Sequence, residues 1–208
     1  MKTEILPQES ERAKAFSMWM SSPMPMVTLV KTLNVSRLVK VSKKNGIKFT
    51  MLMCWCIGKA ASQVKEFYTL PEKGRLYSFD RLAINVIVEN TKGDINSCDI
   101  PFFDNLEKFE EDYLKYTVYS WENCCDYDLS AESMVIGTSA IIETELDSIV
   151  GMNRGFSNPF VFWGKYRKNQ SEYSLPISFQ FHHTQMDGIH AGRFLENLQN
   201  EINALKIN

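Results

Sequence analysis

Two adjacent histidines near the end of the chain, followed by an aspartate and a glycine, are the residues best suited to chemistry. His182 and His183 follow a run over 176–181 in which apolar and polar residues alternate, which predicts a half-buried strand. Asp187 and Gly188 lead into a run with helical spacing of apolar residues. An imidazole moves protons near neutral pH. Because neighbours in a strand point to opposite faces, one histidine can line a cleft while the other is packed or solvated.

A structural interpretation of the same residues stays open at this point. A histidine at a strand end and an aspartate that caps the following helix are ordinary features of folded proteins. For an arbitrary His-His pair, that interpretation comes first. The separation of four residues between His183 and Asp187, with Gly188 directly after, favours a catalytic role.

The composition indicates one globular domain over residues 1–208, long enough to bury a core. A formal net charge of −2 gives no electrostatic reason to expect nucleic acid or an acidic membrane surface as a partner. The chain has no apolar run long enough to span a bilayer and no signal-peptide pattern, so we expect a cytoplasmic protein.

Neither a disulfide framework nor a metal site is indicated. The five cysteines are odd in number, and none has Cys-x-x-Cys spacing. The three histidines, His182, His183 and His190, fall on a strand and a helix, which scatters their side chains. We therefore expect no bound metal.

The order of periodic segments predicts an α/β fold, a two-layer sandwich in which helices cover a mixed sheet. Several strands follow one another too closely for every link to be a helical crossover. The predicted helices cover 9–20, 37–44 and 51–64, with one more from 104 and another after 187. The predicted strands cover 26–33, 76–79, 83–88, 134–141, 160–166 and 176–181, and 119–130 is expected to be a loop.

The segment Phe181 to Leu195 resembles the signature of the chloramphenicol acetyltransferase family, His-His-x-x-x-Asp-Gly between a strand and a C-terminal helix. The family's Gly-Phe-His run after the aspartate is present as Gly188, Ile189 and His190. The resemblance implies the coenzyme A-dependent acyltransferase fold. Dihydrolipoamide acyltransferase catalytic domains carry a related signature, but this sequence shows no lipoyl-bearing domain or Ala/Pro-rich linker.

Other segments resemble the same family in the same order along the chain. The run 11–16 resembles its Arg-x-x-x-Phe segment, which implies an ion pair between Arg12 and Asp187. The run 138–141 resembles its Ile-Ser-Ala segment and gives Ser139 the place of the serine that supports the oxyanion, with a short deletion between Ser148 and Phe160. The run 47–50 resembles the family's Lys-Phe-Tyr-Pro helix start, and 164–166 resembles its Lys-Tyr pair near the coenzyme. The resemblance makes Lys48, Lys165 and Tyr166 the expected coenzyme-binding residues.

The resemblance implies transfer of an acetyl group from acetyl-coenzyme A to a hydroxyl of chloramphenicol or a similar small acceptor. His183 would act as general base, Ser139 would donate to the oxyanion, and Arg12 and Asp187 would be structural partners. No metal is implied. The family forms homotrimers with active sites at subunit interfaces, and we carry this over as an expectation.

The acceptor pocket is where the sequence departs most from the family. A family tyrosine, a phenylalanine and a threonine correspond to Trp19, Val27 and Phe162. Two other hypotheses therefore stay open: an acyltransferase of the same fold for a different alcohol, amine or thiol, and a coenzyme A-binding relative without catalysis.

Overall fold

The computed structural model describes residues 1–151 and 155–206. The stretch 152–154, inside the region where the family match needs a deletion, lies outside the described residues. The strands in the described part are β1 (Lys2–Ile5), β2 (Met26–Asn34), β3 (Thr69–Glu72), β4 (Arg75–Phe79), β5 (Leu82–Glu89), β6 (Ile95–Pro101), β7 (Met134–Ala140), β8 (Phe160–Trp163), β9 (Arg167–Asn169) and β10 (Glu172–His182). The helices are α1 (Ala13–Trp19), α2 (Ser36–Asn45), α3 (Phe49–Ser62), α4 (Leu106–Asn123) and α5 (Gly188–Ala204).

A mixed sheet of seven strands positions the functional residues. Its order is β2-β10-β8-β7-β5-β6, and β9 pairs with the beginning of β10. Strand β7 is parallel to β5 and β8, and the other pairs are antiparallel. A second sheet has the order β1-β4-β3. The predicted α/β architecture with a mixed sheet is confirmed.

The core lies between one face of the large sheet and the helices. Helix α3 is apolar on nearly all sides and is buried over most of its length, as expected for a central helix. Phe179 and Phe181 of β10 point into this core, where Phe179 packs against Phe67 and Phe194 at centroid distances of 5.9 and 4.6 Å.

The prediction that the motif strand is half-buried was wrong, because β10 is buried on both faces from Leu175 to His182. The polar face is covered by the segment that follows β7. Ser178 Oγ accepts a hydrogen bond from the Ile149 amide at 2.8 Å, and Gln180 Nε2 donates to the Gly151 carbonyl at 3.0 Å. The polar side chains on this face therefore have partners that the local pattern does not reveal.

Helix α4 extends into the stretch that was expected to be a loop. It continues to Asn123, because Tyr113 and Ser120 face the core, and it ends where Cys124 adopts a left-handed backbone with φ of 50°. The predicted strand over 160–166 ends earlier, at Trp163, and the first predicted helix is divided into a 3-10 turn, Pro7–Glu9, and α1. Among the described helices, none combines the length and hydropathy that crossing a bilayer requires.

Candidate active site

The two motif histidines have opposite environments, as strand alternation predicts. His182, the last residue of β10, is 3% exposed, and its Nδ1 accepts a hydrogen bond from the Thr184 amide at 3.1 Å. Burial lowers the pKa of His182 to about 4, so this ring is neutral at physiological pH. His183 begins the turn after the strand, and its side chain is 29% exposed. His183 is therefore the histidine that can meet a substrate.

The His183 ring lies between an indole and a carboxylate. It stacks on Trp19, the last residue of α1, with ring centroids 4.5 Å apart and planes within 6°. Its Nδ1 lies 3.3 Å from Asp187 Oδ1 and makes no hydrogen bond among the described residues. A carboxylate oxygen only accepts protons in hydrogen bonds, so its proximity favours the proton on Nδ1. Nε2 then keeps its lone pair and can act as a base.

Arg12, directly before α1, clamps the turn that carries His183. Its guanidinium donates to Asp187 Oδ2 at 2.6 Å and to Oδ1 at 3.0 Å, and also to the carbonyls of His183 and Thr184, each at 2.9 Å. The ion pair implied by the resemblance is thus present. The hydrogen bond from Arg12 holds the pKa of Asp187 below its usual range, which keeps that carboxylate ionised.

Replacing Arg12 with alanine should lower stability, because it removes four hydrogen bonds from one turn. The Arg12 side chain is 12% exposed and that of Asp187 is 43% exposed, so solvent moderates the loss. We expect a decrease of about 2–4 kcal/mol in the free energy of unfolding at pH 7. Because the pKa of Asp187 is lower in the folded chain, this contribution is present above the unfolded pKa and fades as pH falls through the folded pKa. Thermal melts from pH 7 downward measure both effects.

A matched control is the exposed pair of Arg75 and Glu4, with a closest separation of 2.9 Å. Alanine at Arg75 should change the free energy of unfolding by less than about 1 kcal/mol, since exposed ion pairs contribute little. A melt of the Arg12→Ala chain that matches the wild type at pH 7 would show that the clamp does not stabilise the turn.

Ser139 and Phe162 lie at the other end of the strands from His183. Ser139 is opposite Phe162, which in turn is opposite Ser178 in β10. His183 lies five residues beyond Ser178, in the direction away from the end of β7. At about 3.4 Å per residue and about 4.8 Å per strand, Ser139 and His183 of one chain are separated by roughly 19 Å. One copy does not bring them together.

Lys48, Lys165 and Tyr166 surround a single cavity of about 420 Å³. Its wall is mostly apolar and includes Trp163, which is opposite Ala140 at the end of β7, so the cavity lies at the Ser139 end of the sheet. Tyr166 packs against Phe49 with ring centroids 5.1 Å apart. Two amines beside an apolar wall suit a ligand that combines phosphates with an apolar arm.

Trp19 and Val27 lie at the His183 end of the sheet and Phe162 lies at the Ser139 end, so one chain does not bring all three acceptor-pocket residues together. Trp19 contacts His183, Val27 packs against the hydrophobic core, and Phe162 stacks on Phe160 at a centroid distance of 4.3 Å near Ser139. Within residues 1–151 and 155–206, no cluster of three or more His, Cys, Asp or Glu side chains is arranged to hold a metal ion.

Two contacts at the site were not predicted. Sequence reasoning assigned Trp19 to the acceptor pocket and missed its stacking on His183. It also missed that Nε2 of His190 lies 3.4 Å from Oε1 of Glu66. Each pair joins residues more than a hundred positions apart, so no local pattern identifies it. The implied pairing of Arg12 with Asp187 could have indicated the contact of Trp19, because the helix after Arg12 also carries Trp19.

Comparison with known proteins shows which family this chain resembles. The family model for chloramphenicol acetyltransferase matches residues 3–199. A chloramphenicol acetyltransferase of Proteus mirabilis is 25% identical over 179 residues, covering 80% of this chain and 79% of the relative. A solved chloramphenicol acetyltransferase superposes with a TM-score of 0.84 at 18% identity, covering 97% of this chain and 100% of the other.

A truncated catalytic core of the 2-oxoacid dehydrogenase multienzyme complex from Thermoplasma acidophilum superposes with a TM-score of 0.70 at 16% identity, covering 97% and 99% of the two chains. These two structures show the fold, which is that of the coenzyme A-dependent acyltransferases. The match of the family model over nearly the whole sequence goes further: the chain is an acyltransferase that belongs to the chloramphenicol acetyltransferase family.

Proposed function

We propose that this chain transfers the acetyl group of acetyl-coenzyme A to a hydroxyl of chloramphenicol or of a similar small acceptor. The observation that carries the proposal is the held imidazole of His183, with Nδ1 beside Asp187 and one face on Trp19. A base fixed in this way needs no reorganisation before it accepts a proton. Family membership supplies the reaction class.

In the proposed reaction, His183 Nε2 takes the proton of the acceptor hydroxyl while that oxygen attacks the thioester carbonyl carbon. The carbonyl oxygen of the tetrahedral intermediate carries the negative charge and receives a hydrogen bond from Ser139 Oγ. Collapse breaks the carbon–sulfur bond, and the departing thiolate takes the proton back from His183. The carboxylate of Asp187 stabilises the imidazolium in between, since Oδ1 lies 3.3 Å from Nδ1.

The cavity bounded by Lys48, Lys165 and Tyr166 is the proposed coenzyme site. Its lysines suit the phosphates of coenzyme A, and its apolar wall suits the pantetheine arm. The cavity lies at the same end of the sheet as Ser139. A thioester held there would bring its carbonyl toward the serine that stabilises the oxyanion.

The separation of roughly 19 Å between Ser139 and His183 supports a site shared between copies of the chain. In the proposed homotrimer, His183 of one subunit faces the Ser139 and the coenzyme cavity of its neighbour. A closed ring of three identical interfaces forms three such sites. Trp19 would enter the acceptor pocket with His183, and Phe162 would enter it with Ser139.

The acceptor is the part of the proposal with the most alternatives. Tryptophan at 19 and phenylalanine at 162 are larger than the family residues, and each such change shifts the discrimination between acceptors by about 1–3 kcal/mol. A different alcohol, amine or thiol is therefore the second candidate. The presence of Arg12, Asp187 and His183 in one hydrogen-bonded and ion-paired cluster argues against a relative that only binds the coenzyme.

An assay of released thiol with acetyl-coenzyme A tests these possibilities. We expect acceptor-dependent thiol release with chloramphenicol, and mass spectrometry should find the O-acetyl product. The control reaction omits the acceptor and measures simple hydrolysis of the thioester. Release with other alcohols, amines or thiols but not with chloramphenicol would replace the acceptor in the proposal. Coenzyme binding without release for any acceptor would contradict the proposed transfer.

A further inference from the structure

His190, in the first turn of α5, carries a ring whose tautomer can be deduced from its partners. Its Nδ1 lies 3.1 Å from the backbone nitrogen of Asp187, which donates to it. A backbone N–H can only donate, so Nδ1 must present its lone pair. In a neutral ring the proton then resides on Nε2.

Nε2 of His190 faces a buried carboxylate. It lies 3.4 Å from Oε1 of Glu66, which is on the 3-10 turn Lys65–Tyr68 and is 5% exposed. The other oxygen, Oε2, has no hydrogen-bond partner among the described residues, and His190 supplies the one ion-pairing contact of Glu66 there. A buried carboxylate without a donor is costly, so the position of Glu66 favours a proton on Nε2.

We propose that Glu66 and His190 are a positioning pair for His183. Glu66 holds the ring proton of His190 on Nε2, and the freed Nδ1 holds the amide of Asp187. This role rests on the proposed function, because what it positions is the carboxylate beside the proposed base. Neither Glu66 nor His190 contacts the reacting atoms in this scheme.

The pair holds Asp187 at a different atom from the Arg12 clamp. Arg12 binds the carboxylate, whereas His190 binds the backbone N–H of the same residue. If the proton moved to Nδ1 of His190, two N–H groups would face each other and the start of α5 would shift. Asp187 Oδ1 would then leave its place 3.3 Å from His183 Nδ1, and the base would lose its preferred tautomer.

Two substitutions at position 190 distinguish the role of Nδ1 from the role of Nε2. Asparagine places Oδ1 where Nδ1 lies and still accepts from the Asp187 amide, whereas glutamine reaches the Nε2 position and leaves the amide without an acceptor. We expect His190→Asn to keep kcat within about threefold of the wild type, and His190→Gln to lower kcat by about 10- to 100-fold at an unchanged KM for acetyl-coenzyme A.

Glu66 is tested in the same way. Glu66→Gln keeps an oxygen beside Nε2 that can accept its proton, so it should keep kcat within about threefold. Glu66→Leu removes that oxygen and should lower kcat by as much as His190→Gln. Thermal melts of all four variants identify any that fail to fold, and the conservative member of each pair keeps the comparison interpretable. Equal activity of His190→Asn and His190→Gln would overturn the positioning role.

A spectroscopic measurement reports the tautomer without any turnover. The chain has three histidines, so labelling them with nitrogen-15 gives a spectrum of three rings, and the His190 signals are those that disappear in His190→Asn. We expect the Nε2–H tautomer in the wild type and in Glu66→Gln, and a mixture in Glu66→Leu. A proton on Nδ1 in the wild type would overturn the inference. A wild type with the expected tautomer and no acyl transfer to any acceptor would instead overturn the proposed function and, with it, the positioning role.

Discussion

Replacement of His183 with alanine should lower kcat by about 10²- to 10⁴-fold, the usual contribution of a general base. The fold should be retained, because the side chain is partly exposed and makes no hydrogen bond among the described residues. We expect a change in the free energy of unfolding of about 1 kcal/mol or less, mostly from the lost stacking on Trp19. Steady-state thiol release and a thermal melt measure the two quantities separately.

The neighbouring histidine provides the control. Asparagine at position 182 keeps an acceptor for the Thr184 amide, which now donates to His182 Nδ1 at 3.1 Å. It should leave kcat within a few-fold of the wild type, although it changes a residue adjacent to His183 in sequence. A His183→Ala chain that turns over near the wild-type rate would eliminate this residue as the base.

Co-expression of two inactive chains should restore activity if the site is shared between copies. His183→Ala lacks the base and Ser139→Ala lacks the oxyanion donor, so each variant expressed alone is impaired at every site. In a random mixture, a site that takes His183 from the serine variant and Ser139 from the histidine variant is intact. With equal expression, about one quarter of all sites are intact, and in the mixed trimers that carry both tags about one site in three is intact. Co-purification with two affinity tags, followed by the thiol-release assay, measures the recovery.

The control is a mixture of the two chains purified separately and combined without exchange of subunits, which should show only the residual rates. A second control co-expresses two copies of His183→Ala under the two tags. If the hetero-oligomer is no more active than either parent, Ser139 and His183 do not act across one interface. A chain that is monomeric by light scattering and still active would also contradict the shared site.

Much of the architecture was predictable because burial leaves a periodic trace. The apolar run of α3 predicted a central helix, and the alternation before His182 predicted the motif strand. Strand β6 was not predicted, because a charged residue, Asp99, occupies a buried position and interrupts the apolar pattern. Asp99 is buried because Asn85 Nδ2 and the Leu129 amide donate to it at 2.6 and 2.9 Å. Local pattern is uninformative where the compensating partner lies far along the chain.

At the site too, local patterns were predictable and contacts between distant residues were not. Strand alternation alone predicted that His182 and His183 have opposite environments, and the structure confirms it. The ion pair of Arg12 and Asp187 joins residues 175 positions apart, so only the resemblance to a family indicated it. The buried second face of β10 was missed, because the segment that covers it has no sequence pattern of its own.

Helix α1 begins just after Arg12 and ends at Trp19, and these two residues hold the turn and the ring of the proposed base. Seven residues make nearly two full turns, so both side chains project from the same side of the helix. Adding or removing one residue between them would swing one away by about 100°. The length of α1 therefore determines whether Arg12 and Trp19 can both reach the proposed base. Insertions in the connection after α1 should be tolerated better than insertions between these two residues.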